Sequence, residues 1–174
     1  MPTIPLTQGY EALVDAADLP IVASYSWFAH KNSAGKVYAA TAVYPGGGRR
    51  VFLRMHRLLT SAAPGQPVDH RNGDGLDNRR DNLRICTVSQ NMQNSRAKRA
   101  EAGLARYAPY KGVTCVGAGN RRRPWRAQID LPDGRRYLGY HATADDAARA
   151  YDVAAVEHFG EFARVNFPAA EAAA

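Results

Sequence analysis

A polar segment between residues 68 and 95 concentrates side chains suited to hydrolytic chemistry. Asp69 and His70 are neighbours, Asn82 follows a loop rich in Gly, Asn and Asp, and Asn91 comes nine residues later. An imidazole with a pKa of about 6.5 can take a proton from water near neutral pH. A Mg²⁺ ion keeps several waters, so one carboxylate and one amide oxygen suffice as protein ligands. The segment therefore indicates metal-assisted hydrolysis of a phosphodiester.

The elements that must position these residues follow from composition and turn signals. The predicted order is an extended segment at 66–71, a loop at 72–82, a strand at 83–88 and a helix at 89–99. Thr87 and Ser89 are both suitable N-caps for the helix. Neighbouring side chains in a strand point to opposite faces, so Asp69 and His70 can take different roles from one strand end.

These residues occur in an order that resembles a known family. The ordered set is His56-Arg57-Leu58-Leu59, Asp69-His70, Asn72-Gly73, Leu76-Asp77-Asn78-Arg79, Asn82-Leu83 and Asn91. It resembles the HNH homing endonucleases of phages and bacteria over residues 50–96. That family has a ββα-metal finger, in which two strands and a helix surround one divalent ion.

The resemblance implies a role for each residue of the site. His70 would be the general base, and Asp69 and Asn91 would bind one Mg²⁺ or Mn²⁺ ion. Asn82 would hold the hairpin together and orient His70. Asn91 stands where the name-giving pattern has His, which matches a subgroup in which Asn binds the metal.

Simpler interpretations exist for single residues. Asp69 could cap a turn, Asn82 could satisfy backbone groups of the loop, and Asn91 could be an exposed helix residue. We interpret His56 as a helix residue packed beside the core, and Asp77 with Asn78 as loop-stabilising residues.

Other metal sites are disfavoured by spacing. Arg71 and Arg80 occupy positions where a calcium loop of the EF-hand type needs oxygen donors. Cys86 and Cys115 are far apart and without a CxxC motif, so we expect no structural zinc and treat both as small buried hydrophobic residues.

Two hairpin-forming segments and a second α+β unit complete the predicted organisation. Residues 37–44 and 49–54 are strand-like and flank a Pro-Gly turn, which suggests a hairpin, and residues 55–59 open a helical turn. In 110–168, three strands precede a helix that starts at Thr143, with Asp146 as its capping partner. Its predicted sheet-facing residues are Ala147, Ala148, Tyr151, Ala154, Ala155 and His158.

Alternation divides the strands of the second unit into two faces. The expected apolar face holds Trp125, Ala127, Ile129, Leu131, Leu138 and Tyr140. The opposite face offers Arg126, Gln128, Arg135 and Tyr137, with Lys111 nearby, for contacts in the DNA major groove. The flanking Arg121, Arg122 and Arg123 can bind phosphates.

The second unit also resembles a known family. Tyr110-Lys111-Gly112-Val113, Trp125-Arg126-Ala127, Tyr137-Leu138-Gly139, Ala150-Tyr151-Asp152 and Asn166-Phe167 are among the residues that carry the likeness. They resemble the ethylene-response-factor (APETALA-type) domain, whose three-stranded sheet lies in the major groove. Thr114 and Asp130 stand where Arg is usual, so a target sequence cannot be transferred.

The charge distribution agrees with a nucleic-acid partner. The chain has a net charge of +7, and residues 49–140 hold 19 of its 23 Lys and Arg residues. Such a concentration favours a polyanion. The sequence shows neither a secretory signal nor a membrane-spanning run, so we expect a cytoplasmic protein of a bacterium or a phage-infected cell. A monomer is the default expectation.

Together these features predict an α+β protein that cuts double-stranded DNA. The predicted domains are a β-rich extension at 1–48, an HNH core at 49–98, a linker at 99–109, a DNA-binding domain at 110–168 and a tail at 169–174. The extension would buttress the core or touch flanking DNA. The alternative is a DNA-binding regulator with an inactive nuclease core. An RNA substrate is disfavoured because the RNA major groove is too narrow for a sheet.

Overall fold

The amino-terminal half of the chain begins with two small sheets. Strand β1 (Thr3–Pro5) pairs antiparallel with β2 (Glu11–Leu13), and helix α1 (Leu19–Val22) follows. A three-stranded antiparallel sheet then runs in the order β3 (Phe28–Lys31), β4 (Val37–Val43) and β5 (Val51–Arg54). The hairpin expected at this position is confirmed.

The predicted order of strand, loop, strand and helix is also confirmed. Helix α2 (Met55–Thr60) precedes β6 (Val68–His70), which pairs antiparallel with β7 (Leu83–Ile85), and α3 (Val88–Gln93) follows. Thr87, rather than Ser89, caps α3. Its hydroxyl accepts from the Gln90 backbone N–H at 3.2 Å, and the Gln90 side chain accepts from the Thr87 N–H at 2.8 Å. These reciprocal bonds satisfy two helix-end donors.

The computed structural model describes residues 1–95, 110–117 and 122–168, and the chain divides into two compact units, Met1–Asn91 and Met92–Ala174. The extension 1–48 thus belongs to the same unit as the strands and helix that follow it. The linker expected at 99–109 and the tail expected at 169–174 lie outside the described residues. The α+β fold class is confirmed.

The first unit has one hydrophobic cluster that joins the extension to the segment after it. Its buried members are Ala12, Val14, Val22, Trp27, Ala39, Met55, Leu59 and Leu83. Backbone hydrogen bonds also join the extension to the loop between β6 and β7. Leu13 N–H donates to the Leu76 carbonyl at 2.9 Å, and Asn78 N–H donates to the Leu13 carbonyl at 2.8 Å. Strand β2 therefore supports the loop between β6 and β7.

The second unit has the predicted sheet and helix. Strands β8 (Val113–Cys115), β9 (Trp125–Leu131) and β10 (Gly134–His141) form an antiparallel sheet with β9 in the centre. Helix α4 (Ala144–Phe159) packs on it. Thr143 caps the helix as predicted, since its hydroxyl accepts from the Asp146 N–H at 3.1 Å.

The predicted sheet-facing side of α4 is wrong for one residue. Ala147, Ala148, Tyr151, Ala154 and Ala155 are buried, but His158 is exposed, and the neighbouring Phe159 is buried instead. In the last turn the side chain with the larger apolar surface occupies the interior, because burying a phenylalanine is worth about 2–3 kcal/mol.

A β-bulge corrects the predicted faces of β10. Tyr137 pairs with Gln128, but the register shifts before Gly139, so that Tyr140 pairs with Arg126. An extra residue in one strand reverses the alternation beyond it. Tyr140 was expected on the apolar face and is 51% exposed. It lies on the same face as Arg126.

Two further sequence expectations concern cysteines and membranes. Cys86 is buried as expected, Cys115 is half-buried, and both thiols are free. Among the described residues no helix is long and apolar enough to cross a bilayer.

Candidate functional site

A polar pocket of about 100 Å³ lies in the first unit beside the end of β6. Three residues predicted from the sequence, Asp69, His70 and Asn91, line it. Asp69 and His70 are buried, whereas Asn91 is exposed on α3. Asn82 does not line this pocket. The fold therefore brings the expected base and both expected metal ligands to one cavity.

Asp69 is held in place by an arginine that sequence reasoning missed. Asp69 and Arg84 are directly opposite each other in the β6–β7 pair. Arg84 Nε and Nη2 donate to Asp69 Oδ2 at 2.9 and 2.7 Å, and each side chain is only 7% exposed. A guanidinium presents its donors in a rigid fork, so this pair fixes the orientation of the carboxylate.

The environment of His70 favours the neutral imidazole. Burial lowers the pKa of His70, and the Asp69 carboxylate and the Asn78 side chain oppose that shift. The ring of His56 lies edge-on to the ring of His70, with the centroids 4.9 Å apart. A neutral imidazole near pH 7 can accept a proton, which is the property that a general base needs.

Asn82 braces the loop that follows His70. Its Oδ1 accepts from the Asn72 N–H at 3.0 Å, and its Nδ2 donates to the Asp77 carbonyl at 2.7 Å. Its own carbonyl accepts from the Arg71 N–H at 2.9 Å. Asn82 thus ties both ends of the loop between β6 and β7 together.

Asp77 and Asn78 also act within this loop. Asp77 accepts from Arg79 Nη2 at 2.6 Å and from Asn72 Nδ2 at 2.8 Å. Asn78 is fully buried and donates from Nδ2 to the Leu76 carbonyl at 3.0 Å. These contacts agree with the loop-stabilising interpretation.

Further pocket residues come from elements outside the motif. Lys36 precedes β4, Tyr38 lies in β4, and Arg54 ends β5. The Arg54 guanidinium lies 4.8 Å from the centre of the Tyr38 ring. The sequence analysis placed Arg54 at the end of a strand, but no sequence pattern connected it with residues 68–91.

His56 has a larger place in the pocket than the sequence suggested. It is buried as expected for a packed helix residue, yet it lines the pocket. Its Nδ1 has no hydrogen-bond partner among the described residues. Burial, followed by the adjacent His70, lowers the pKa of His56 to about 3.

The donor set is compatible with a hard divalent ion. Within the described part of the chain, no group of three or more His, Cys, Asp or Glu side chains could hold a metal. Mg²⁺ is commonly bound through one or two carboxylates plus substrate phosphates and waters. The Asp69 carboxylate and the Asn91 amide line one pocket, and His56, which also lines it, has a buried Nδ1 without a hydrogen-bond partner among the described residues. The residues present fit such an ion.

In the second unit, the outer face of the sheet gathers several of the predicted DNA-contact residues. Gln128 pairs with Tyr137, and Arg126 pairs with Tyr140. The Arg126 guanidinium lies 5.3 Å from the centre of the Tyr137 ring. Buried Nε of Arg126 and Oε1 of Gln128 have no hydrogen-bond partner among the described residues. Sequence reasoning missed Tyr140 because of the bulge.

The remaining predicted DNA-contact residues differ in their surroundings. Arg135 Nε donates to Asp130 Oδ1 at 2.6 Å, in a pair exposed to solvent. Arg122 and Arg123 are exposed, and Arg121 lies outside the described residues. Lys111 is half-buried, and burial lowers its pKa to about 8.

Comparison with known proteins identifies the pocket-forming segment. Residues 55–93 match the family model of HNH endonucleases. The segment from α2 to α3 is therefore similar to HNH endonucleases. An uncharacterized HNH endonuclease of Acanthamoeba polyphaga mimivirus is 27% identical over 165 residues, which cover 91% of this chain and 76% of the viral protein.

Plant proteins match shorter stretches. An AP2/ERF and B3 domain-containing protein of Oryza sativa subsp. japonica is 44% identical over 75 residues, or 43% of this chain. Dehydration-responsive element-binding protein 1E of Oryza sativa subsp. indica is 36% identical over 97 residues, or 55% of this chain. The matched stretches span only 20% and 40% of those two plant relatives.

Proposed function

We propose that this chain is a metal-dependent DNA endonuclease of the HNH homing type, with His70 as general base and Asp69 and Asn91 as ligands of one Mg²⁺ or Mn²⁺ ion. The main support is that these three residues line one polar pocket inside the segment that matches HNH endonucleases. The viral relative, which is named an uncharacterized HNH endonuclease and matches 91% of this chain, also supports a nuclease.

Each of the pocket residues, and each residue that supports them, has a separate role in the proposed reaction. Neutral His70 takes a proton from the attacking water, and the resulting hydroxide bonds to the phosphorus as the bond from the phosphorus to the leaving oxygen breaks. A solvent water then protonates the leaving oxygen. Arg84 holds the Asp69 carboxylate in a fixed orientation, and Asn82 braces the loop after His70. When bound, the divalent ion supplies positive charge to the phosphate and to the leaving oxygen. Asn82 and Arg84 act as positioning residues.

The second unit would bring the substrate to this site. Its outer sheet face carries Arg126, Gln128 and Tyr137, which can contact base edges in a major groove. Arg135, Lys111 and the flanking Arg121–Arg123 would add contacts to bases and phosphates. The plant DNA-binding relatives favour this assignment.

A plasmid-cutting assay tests the proposal. The unaltered chain should cut plasmid DNA with Mg²⁺ or Mn²⁺ and should stop when the ion is chelated. His70→Ala should abolish cutting and leave DNA affinity near that of the parent. His158→Ala, which removes an exposed histidine of α4, is the matched control and should cut normally.

Two results would contradict the proposal. Cutting that persists in chelator would exclude the metal-assisted mechanism. Duplex binding without any cutting, under either ion, would favour the alternative of a DNA-binding regulator with an inactive core.

A further inference from the structure

The three-stranded sheet of the first unit has one face directed toward the core and one opposite to it. Residues that are directly opposite in neighbouring strands share a face. The register therefore places Phe28, His30, Tyr38, Ala40, Ala42, Phe52 and Arg54 together. Ala39, on the other face, belongs to the hydrophobic core. Ala40, in the first set, is also fully buried, so this face is covered around Ala40 and open to solvent around Phe52. We name the first set, together with Arg50, the outer face of this sheet.

Aromatic rings and guanidinium groups cover this outer face. The Arg50 guanidinium lies 4.8 Å from the centre of the Phe52 ring. That ring is edge-on to Phe28 at 5.7 Å and lies 5.9 Å from His30. Phe52 is 53% exposed, so the ring lies at the solvent-accessible end of this face. The ring holds Arg50 beside it through a cation–π contact.

The same face leads to the candidate active site. Arg54 lies on the outer face and also lines the pocket, where it stacks on Tyr38. Lys36, at the start of β4, lines the pocket as well. Two cationic side chains, Lys36 and Arg54, therefore line the pocket beside Asp69 and His70, and Arg54 also belongs to the outer face.

The sequence around the amino-terminal sheet carries charges of one sign only. Residues 19–68 contain six Lys and Arg residues and no Asp or Glu. Of these six, Arg50 and Arg54 belong to the outer face, and positive charge next to a site for phosphodiester chemistry is complementary to the DNA backbone.

We propose that the outer face of the amino-terminal sheet binds the DNA backbone beside the bond that is cut, with Arg50 and Arg54 each contacting a phosphate. This inference rests on the proposed function, because it assumes that the pocket receives DNA. It assigns a role to the extension, which carries part of the substrate-binding surface as well as supporting the loop. The same surface explains why Phe52 remains exposed.

The salt dependence of DNA binding tests the inference. The probe is a fluorescein-labelled duplex of random sequence, measured by anisotropy with the full chain in chelator, so that no cutting occurs. Each lost phosphate contact should reduce the slope of log K against log salt by about 0.9, which corresponds to about eightfold weaker binding at about 0.1 M salt. Arg50→Ala and Arg54→Ala should each show this loss.

Two further variants separate charge from folding. Lys31→Ala removes the same charge from the opposite face of the same sheet, as Lys31 pairs with Val37, and should change affinity less than about twofold. Arg50→Lys keeps the charge and should retain the parental salt slope. Affinity and slope that stay parental in Arg50→Ala and Arg54→Ala would overturn the inference.

The nuclease assignment can fail separately. If the unaltered chain binds but does not cut, and Arg50→Ala still weakens binding, the proposed function fails and the binding face stands. If the chain cuts plasmid DNA and both arginine variants bind like the parent, the binding face fails and the nuclease stands.

Discussion

Replacement of Arg84 by methionine removes one partner of a buried ion pair while keeping a long unbranched side chain. Asp69 and Arg84 are each 7% exposed, so solvent does little to screen the charge that is left. Breaking a buried pair in this way costs about 3–5 kcal/mol. The first unit has 91 residues, for which a stability of roughly 5–14 kcal/mol is expected. The variant should therefore lose a large part of its free energy of unfolding.

Tryptophan fluorescence gives a direct assay of this loss. The chain has two tryptophans. Trp27 is buried in the first unit and donates to the Val22 carbonyl at 2.8 Å, whereas Trp125 belongs to the second. In a Trp125→Phe background, urea unfolding followed at Trp27 reports the first unit alone. Lys31→Met, at an exposed position, is the control and should lie within about 0.5 kcal/mol of the parent.

A double variant completes the test. Replacing Asp69 by leucine as well removes both charges, and such exchanges are often neutral or stabilising. Asp69→Leu/Arg84→Met should therefore recover most of the stability that Arg84→Met loses. A loss below about 1 kcal/mol in the single variant, or an equal loss in the double, would refute this account of the pair.

Three other outcomes are expected from the same pocket. The pKa of His56 is about 3 in the folded state and about 6.5 in the unfolded state, so acid favours the unfolded state. Lowering the pH from 7 to about 4.5 should therefore decrease the free energy of unfolding by about 3 kcal/mol more in the parent than in His56→Phe. Urea titration of both proteins at both pH values measures this difference. Burial lowers the pKa of His70, so plasmid cutting should be constant between about pH 8 and 7 and fall only below about pH 6.5; a rate that rises in acid would contradict His70 as the base. A methyl group on Gly75 would lie 2.6 Å from Tyr38 Cδ1 and overlap the Val37 carbonyl, so Gly75→Ala should destabilise the first unit by about 1–3 kcal/mol in the same fluorescence titration.

Local sequence patterns were sufficient to predict most of the strands and helices. The turn of Pro45-Gly46 between two strand-like runs predicted the β4–β5 hairpin, and Thr143 with Asp146 predicted the start of α4. Each of these features depends on residues close together in the chain. Short-range hydrogen bonds and turn preferences determine them.

Alternation failed where the backbone departed from regular geometry. A strand pattern assigned Tyr140 to the interior, but one bulge residue in β10 turned it to the outer face. Helical spacing assigned His158 to the sheet, but the last turn of α4 buries Phe159. Gly139, which has a φ of +108° at the register shift, was a local signal for the bulge, because an isolated glycine in a strand pattern suggests one. The burial of Phe159 had no such signal, because it depends on which side chains the rest of the fold can cover.

The pocket shows the same limit at longer range. The motif predicted Asp69, His70 and Asn91, which the structure places together. Lys36 and Arg54 reach the pocket only because the amino-terminal sheet packs beside the motif. Arg84 acquires its role from strand register, which no pattern of residue types specifies.

The backbone bonds between Leu13 and the loop have a consequence for recombinant exchange of these parts. Leu13 hydrogen-bonds to Leu76 and Asn78, which lie some sixty residues later in the sequence. Strand β2 is therefore part of the structure that holds the loop between β6 and β7. A chimera that replaced the chain up to residue 48 or 54 would lose the hydrogen bonds of Leu13 to the loop, the buried Trp27, and one or both of the cationic pocket residues Lys36 and Arg54. A transplantable segment therefore has to run from Met1 to at least Gln93, where α3 ends.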